Sequence, residues 1–164
     1  MKINRYILNR LSCMVFATFA TTIVPSALAH ACSQATGAGQ WAFTVSGSVV
    51  LPNGAVVPVL QVGTFREDRD GNFNGSQTRS LGGGVGKETF AGTASIHSDC
   101  SGTASTETYD ESRALARTTT VDFVLDEDGN HARSIVTSIV LPNGTSLAPI
   151  LTIDYRRISS RESK

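Results

Sequence analysis

The chain has 164 residues with 14 basic and 14 acidic side chains, so its formal net charge is zero. Three of the basic residues, Lys2, Arg5 and Arg10, lie in the first 29 residues, which contain no acidic residue, and the rest of the chain carries 11 basic against 14 acidic residues. This weakly acidic remainder lacks the positive surface that binding to nucleic acid or to anionic lipid requires. We therefore expect no nucleic-acid partner, and a length of this kind predicts one folded domain.

The first 29 residues have the three parts of a secretory signal peptide. The basic residues come first, an apolar stretch follows over residues 11–24, and small residues stand at both cleavage positions of Ala27-Leu28-Ala29. Cleavage after Ala29 would deliver the protein to the periplasm or to the cell exterior. A retained membrane anchor is one alternative, but a spanning helix needs about 20 apolar residues, and this stretch is shorter. A lipoprotein anchored at Cys32 is another, although Ala29-His30-Ala31 lacks the bulky aliphatic residue usual before such a cysteine.

Two cysteines remain once the signal peptide, which contains Cys13, has been removed. Cys32 and Cys100 would then lie in an oxidising compartment, where a cysteine pair is expected to form a disulfide. The bond would tie an N-terminal segment, residues 30–39, to the rest of the domain. Metal binding by these cysteines is the weaker interpretation, because no Cys-x-x-Cys or paired His spacing accompanies them. We therefore expect neither a metal site nor a cofactor.

From residue 40 to residue 158 apolar residues alternate with small or polar ones, which indicates half-buried β-strands and no helix. Seven turn motifs divide this region into eight strands. They are Pro52-Asn53-Gly54, Asp70-Gly71-Asn72, Gly82-Gly83-Gly84, residues 99–102, residues 109–112, Asp128-Gly129-Asn130 and Pro142-Asn143-Gly144. Short turns make neighbouring strands antiparallel, so the sequence predicts an all-β, up-and-down, eight-stranded barrel, with a β-sandwich as the alternative. Residues 159–164 form a charged C-terminal tail.

Two of these turns belong to Asp-x-Asp-Gly-Asn motifs that begin at Asp68 and Asp126 and resemble the start of a calcium-binding loop. A complete loop needs a further acidic ligand about seven residues after the glycine, together with flanking helices. Thr78 and Val136 stand at those positions. Hairpin turns are therefore the preferred interpretation, and a weak surface cation site is the alternative.

Residues 90–103 contain the pattern Phe-x-Gly-Thr, five residues, then Asp-Cys-x-Gly-Thr. The pattern resembles a β-hairpin motif of small, secreted, largely uncharacterised bacterial β-barrel proteins, and this resemblance implies no catalytic residues. A more distant likeness, in strand number and barrel size, is to allene oxide cyclase-like and lipocalin-like barrels. Those barrels hold an apolar small molecule in the lumen, and some of them guide its cyclisation. Within the motif, Asp99 is predicted to bond its own turn, and catalysis by Asp99 with His97 is the alternative.

Strand alternation provides candidate ligand-binding residues. If Phe90 and Ile96 face inward, Glu88 does too, and if Leu115 and Phe123 face inward, so does Arg117. Glu107 and Tyr109 share one face of the strand between them. We therefore predict a lumen in which a few polar groups among apolar walls orient a ligand, and these are Glu88, Glu107, Tyr109 and Arg117. The alternative is that they are solvated at strand ends.

Two functions are compatible with this sequence. The first is binding of an apolar small molecule in the lumen, with cyclase or isomerase activity as an extension. The second is a non-enzymatic protein-interaction module with a filled barrel and an unknown protein partner. A transmembrane barrel is not expected, because only 7% of the chain is aromatic and residues 74–80 and 102–108 offer lipid no apolar face. A cavity of several hundred Å³ would favour the first function, and small residues expected to face the lumen leave room for one: Gly63, Gly92, Ala94 and Ala104.

Overall fold

The computed structural model describes residues 31–159, so the predicted signal peptide and residues 160–164 of the predicted tail lie outside the described residues. The described chain contains one helical turn and eight strands. They are α1 (Gln34–Gly37), β1 (Gly39–Val50), β2 (Val56–Glu67), β3 (Asn72–Leu81), β4 (Gly84–Ile96), β5 (Ser101–Tyr109), β6 (Leu115–Leu125), β7 (His131–Val140) and β8 (Ser146–Ser159). Within residues 31–159 no helix is both long and apolar enough to cross a membrane.

The eight strands form one closed barrel. Each strand pairs antiparallel with the next in sequence, and β8 pairs with β1, which leaves no sheet edge exposed. The predicted up-and-down barrel is confirmed, and the β-sandwich alternative is wrong. Each predicted turn overlaps a connection between consecutive strands. In the first of them Gly54 has a φ of 82°, a conformation that glycine adopts without steric cost, and its N–H donates to the Leu51 carbonyl at 2.8 Å.

The connections divide the barrel into two ends. At one end, the turn end, short hairpin loops join β1 to β2, β3 to β4, β5 to β6 and β7 to β8. At the other end, the capped end, lie the three remaining connections and the segment that precedes β1. We call this segment, residues 31–38, the cap segment. It includes α1, which the strand pattern of the sequence did not predict.

The cap segment is attached to the β4–β5 hairpin. Cys32 and Cys100 form a disulfide, as predicted, and the Gln34 side-chain carbonyl accepts a hydrogen bond from the Ile96 N–H at 3.1 Å. Residues 32, 37 and 38 are buried. A segment of eight residues with little core of its own is therefore held across the barrel end by covalent and polar contacts.

Arg157 on β8 fixes the other side of the cap segment. Its guanidinium donates to the backbone carbonyl of Thr36 at 2.6 Å, to that of Ala38, and to that of Gly129 in the β6–β7 loop. The same group lies 4.4 Å from the centre of the Trp41 ring, an arrangement that is favourable for a cation and an aromatic face. One side chain thus joins the cap segment, the β6–β7 loop and the barrel wall.

Phenylalanines opposite glycines fill much of the barrel near the capped end. The cross-strand pairs are Phe43 with Gly63, Phe73 with Gly92, Phe90 with Gly75 and Phe123 with Gly102. A Cβ atom at Gly75 or Gly92 would lie 2.6 Å from the Cζ atom of the facing ring, so only glycine admits the ring across its strand. We expected Gly63 and Gly92 to leave room for a ligand. This was wrong, because the Phe43 and Phe73 rings occupy that space.

Candidate ligand-binding cavity

The barrel encloses a cavity of about 410 Å³, which lies within the range of roughly 300–1,000 Å³ usual for small-molecule sites. Its walls are mainly aliphatic and aromatic, and the small residues Ala94 and Ala104 line it as predicted. Trp41, at the capped end of the cavity, is 2% exposed, whereas Leu81, at its turn end, is 39% exposed. The turn end is therefore the more exposed end of the cavity.

A buried carboxylate organises the polar part of the cavity. Glu88 is 4% exposed, and Arg117 reaches it from β6 with two parallel hydrogen bonds, Nη1 to Oε1 at 2.9 Å and Nη2 to Oε2 at 2.8 Å. Arg79 donates from Nε to Oε1 at 2.7 Å, and Gln77 donates from Nε2 to Oε2 at 2.7 Å. All four residues line the cavity. Each Glu88 oxygen therefore accepts two hydrogen bonds, which satisfies the carboxylate within the protein.

This cluster carries a net positive charge. Burial by itself would raise the pKa of Glu88. The hydrogen bonds and the charge of Arg117, the hydrogen bond from Gln77 and the charge of Arg79 outweigh burial and hold this pKa below its ordinary value. One carboxylate thus faces two guanidinium groups. Each guanidinium has five N–H donors, of which Arg117 uses two and Arg79 one on Glu88. Donors remain for an acceptor that enters the cavity.

Glu107 and Tyr109 lie on the outer face of the barrel, so the prediction that they face the lumen was wrong. Thr108 pairs with Phe90 on one side and with Arg117 on the other. Residues paired directly across strands share a face, and Thr108 therefore takes the inward position and its two neighbours point outward. The Tyr109 hydroxyl donates to the Glu107 carboxylate at 2.5 Å on that outer face.

Several polar residues of the cavity were missed from the sequence, among them Glu67, Gln77 and Arg79. Residues 74–80 contain no large apolar side chain, so nothing in that segment indicates which face is inward. Counting in twos from Phe73 would have reached Gln77 and Arg79, and counting from Phe65 would have reached Glu67.

Glu67 occupies the capped end of the cavity, remote from Glu88. Burial raises its pKa to about 7, although the Arg157 charge lowers it in part. Tyr155 lines the same region, and burial together with the nearby Glu67 raises its pKa to about 12, although a hydrogen bond with Ser134 opposes the shift. The Tyr155 and Ser134 hydroxyl oxygens are 3.3 Å apart. The two ends of the cavity therefore differ: one is cationic, and the other holds a carboxyl group that burial favours in its neutral form.

The remaining polar motifs of the sequence form turns. Asp99 accepts hydrogen bonds from the Ser101 N–H at 3.0 Å and from the Ser101 hydroxyl at 2.6 Å, as expected of a turn aspartate. Asp68 likewise accepts from the N–H groups of Asp70 and Asn72, both at 2.9 Å. Within residues 31–159 no three or more His, Cys, Asp or Glu side chains are grouped so as to hold a metal ion.

Comparison with known proteins identifies no family for this chain. No protein-family model matches the sequence, and no curated protein matches it. The resemblance of residues 90–103 to a secreted bacterial hairpin motif therefore has no support from a family match. Among solved structures, a redesigned β-barrel, mFAP1, bound to DFHBI, is similar at 13% sequence identity and a TM-score of 0.48. The similarity covers 76% of this chain and 98% of that one.

Proposed function

We propose that this protein binds, inside its barrel, a small apolar molecule that carries an anionic head group. The observation that carries the proposal is the cavity of about 410 Å³, whose walls are apolar and whose polar cluster holds two arginines against one carboxylate. Shape and burial select an apolar body, and the arginines select the head group.

The charge of the cluster favours a carboxylate over an amine. A ligand carboxylate can accept hydrogen bonds from the remaining N–H groups of Arg79 and Arg117, and such charge-assisted bonds are stronger than neutral ones. An ammonium group would meet a net positive site, and the Glu88 oxygens that could accept from it are already occupied. The side chains of Arg79 and Arg117 are 27% and 15% exposed, so a head group can reach them from the turn end.

The proposal is limited to binding. Cyclase or isomerase activity, raised from the sequence, would require a group able to exchange a proton with the ligand. Glu88 is unsuited to that role, because its ionised form is stabilised by four hydrogen bonds. Glu67, whose pKa is raised to about 7, could exchange a proton, but it is a single group at the end of the cavity remote from the two arginines, so activity is not part of the proposal. The other function raised, an interaction module with a filled barrel, is disfavoured by the cavity. Its binding surface would be the outer face of β2, where Leu60 and Val62 are exposed.

We also propose that the protein acts outside the cytoplasm, in the periplasm or beyond the cell. The Cys32–Cys100 disulfide supports this location, because such bonds persist in oxidising compartments and are rare in the cytosol. Mass spectrometry of the protein recovered from its native compartment tests it. The expected N-terminus is at or within about two residues of His30, and an intact N-terminal segment would contradict the proposal.

Binding can be measured through Trp41, the one tryptophan of the sequence, which lines the cavity. We would titrate the protein with dodecanoic acid, dodecylamine and dodecanol and follow the tryptophan fluorescence. Ala104→Phe should fill the cavity, and Ala91→Phe, on the outer face of the neighbouring strand, is the matched control.

Dodecanoic acid should change the fluorescence saturably and bind about tenfold or more tightly than dodecylamine, the factor that 1.4 kcal/mol of head-group preference gives. Ala104→Phe should weaken the binding of dodecanoic acid by about tenfold or more, and Ala91→Phe should leave it unchanged. Equal affinity of dodecanoic acid for Ala104→Phe and for Ala91→Phe would place the ligand outside the lumen and overturn the proposal. Equal affinity for acid and amine would overturn the anionic head group.

A further inference from the structure

The polar residues of the cavity lie on one side of the barrel. Within residues 31–159, every polar residue that lines the cavity outside its capped end belongs to one of five consecutive strands, β2–β6. We call them the polar wall, which consists of the four residues of the cluster around Glu88 together with Gln61, Thr106, Thr108 and Thr119. The remaining strands, β7, β8 and β1, face it with an aliphatic wall: Val45, Val49, Val136, Ile139, Leu147 and Leu151.

Three threonines extend the polar wall from the arginines towards the capped end. Thr108 pairs with Arg117, and Thr106 pairs with Thr119 at the next inward position. Their partners on β4 are two and four residues beyond Glu88. At about 3.4 Å per residue, the two positions are about 7 and 14 Å from Glu88 along that strand. Polar groups therefore run along the side of the lumen and are not confined to one end of it.

The side chains that extend the polar wall face free space. Gln61, Thr106 and Thr119 line the cavity, yet each is only half-buried, so part of their surface is open to the lumen. The four hydrogen bonds that satisfy Glu88 come from other residues of the wall. A threonine hydroxyl donates one hydrogen bond and accepts up to two, so this surface can recognise a polar group.

A wholly apolar body would match only one side of this lumen. Against the aliphatic wall, methylene groups displace water favourably. Against the polar wall, the same groups would take water from hydroxyl and amide groups and return no hydrogen bond, which is unfavourable. A hydroxyl group on that side of the ligand restores the lost bond. The division of the walls therefore selects a molecule with two unlike sides.

We infer that the ligand is a two-sided acid, polar along the side that faces β5 and β6 and apolar along the other. The inference rests on the proposed function for the position of the carboxylate at Arg79 and Arg117. From that position the paired Thr106 and Thr119 meet the middle of the ligand and not its far end. The class of ligand is thus an apolar acid that carries a hydroxyl group partway along its body.

The test compares dodecanoic acid with two hydroxy acids, 7-hydroxydodecanoic acid and 12-hydroxydodecanoic acid. The hydroxy acids are isomers, so the ratio of their affinities reports only the position of the hydroxyl group. Calorimetry measures the affinities for the unaltered protein, for Thr106→Val and Thr119→Val singly and together, and for the matched control Thr103→Val on the exposed outer face of β5. Valine is branched like threonine but has no hydroxyl group.

The 7-hydroxy acid should bind the unaltered protein about two- to twelvefold more tightly than its terminal isomer, the range that one net hydrogen bond gives. Thr103→Val should keep this ratio. The double variant Thr106→Val/Thr119→Val should abolish it and should bind dodecanoic acid at least as tightly as the unaltered protein does. The single variants should each reduce the ratio, and they decide the result if the double variant does not fold.

Equal affinities of the two isomers for the unaltered protein, or a ratio that the valine variants leave unchanged, would overturn the inference and show that water stays on the polar wall. Failure of all three acids to bind the unaltered protein would overturn the proposed function itself, and the inference with it. The two failures are distinguishable, because in the first of them dodecanoic acid still binds.

Discussion

Arg117 holds the Glu88 carboxylate inside the barrel with two parallel hydrogen bonds of 2.9 and 2.8 Å. The pair joins β6 to β4 across the intervening strand β5. Both side chains are largely removed from water, so either charge without its partner would destabilise the folded protein strongly. The same arrangement makes the net charge of the cluster positive, because Arg79 adds a second positive charge beside the single carboxylate.

A double-mutant cycle measures this coupling. Arg117→Met should destabilise the ligand-free protein by about 3 kcal/mol, because it leaves Glu88 with an uncompensated part of its charge in an apolar site. Adding Glu88→Gln should recover part of that loss. Chemical denaturation of the single and double variants provides the free energies of unfolding. The outer-face control Glu107→Gln should change stability by less than about 0.5 kcal/mol. If Arg117→Met and Glu88→Gln each change the free energy of unfolding by less than about 0.5 kcal/mol, and the double variant shows their sum, the two residues do not interact.

Glu67 should make stability depend on pH in a defined direction. Its pKa is 4.5 in the ordinary state and about 7 in the folded protein, so the folded state binds the proton more tightly. The contribution of Glu67 to stability is therefore fully present below pH 4.5, declines as the pH rises to about 7, and is lost above it, a difference of the order of 3 kcal/mol.

Glu67→Gln should remove this contribution. His131, whose pKa is raised by its hydrogen bonds with Asp154 and Asp126, titrates in both proteins, so the difference between the two denaturation profiles isolates Glu67. Of the groups near it, Arg157 stays charged throughout, Tyr155 has its pKa near 12, and Asp68 has its pKa lowered by hydrogen bonds to Asn72. None of these three titrates in the same window. Parallel profiles for the two proteins would contradict the burial of an ionisable Glu67.

Gly92 should tolerate no side chain, because a Cβ atom there would overlap the Ser105 carbonyl oxygen and lie 2.6 Å from the Cζ atom of Phe73. Gly92→Ala should destabilise the protein by about 1–3 kcal/mol, the usual effect of overpacking a filled core. Gly84→Ala is the matched control on the same strand, since a Cβ atom there meets only the Leu81 carbonyl oxygen at 3.4 Å. Thermal unfolding of both variants provides the comparison, and equal effects would contradict the close packing of Ser105 and Phe73 around Gly92.

The cap segment should depend on its disulfide. Cys32 and Cys100 are separated by 68 residues in sequence, and closing a loop of this size stabilises the folded state by about 4 kcal/mol in the chain-entropy model. The double variant Cys32→Ser/Cys100→Ser should lose stability of that order. Non-reducing mass spectrometry should find the two cysteines linked in the unaltered protein, and two free thiols would contradict the bond.

The barrel could be predicted from the sequence alone because most of its turns carry recognisable sequence motifs. Asn-Gly and Asp-Gly motifs mark hairpins independently of context, and eight strands joined by hairpins have few ways to close. The inward orientation of Glu88 followed from Phe90 two residues away. The orientation of Glu107 did not, since residues 102–108 contain no large apolar side chain from which to count. Only the pairing of Thr108 with Phe90 and Arg117 decides it.

The cavity volume was harder to predict, because it depends on which side chains cross the lumen. Gly63 and Gly92 suggested open space, yet each is the site against which a phenylalanine from the neighbouring strand packs. A glycine in a barrel strand can mean either a void or a place for a ring, and the register of the strands distinguishes the two. Ala94 and Ala104, paired with each other, have no ring across them in the described pairs and remain part of the cavity wall.

The crystal structure of the protein in complex with dodecanoic acid is the most direct test of lumen binding. We expect the alkyl chain inside the barrel, beside Ala104, with its carboxylate within hydrogen-bonding distance, about 2.7–3.2 Å, of an N–H group of Arg79 or Arg117. The same chain found on the exposed outer face at Leu60 and Val62, with the lumen free of ligand, would contradict binding inside the barrel.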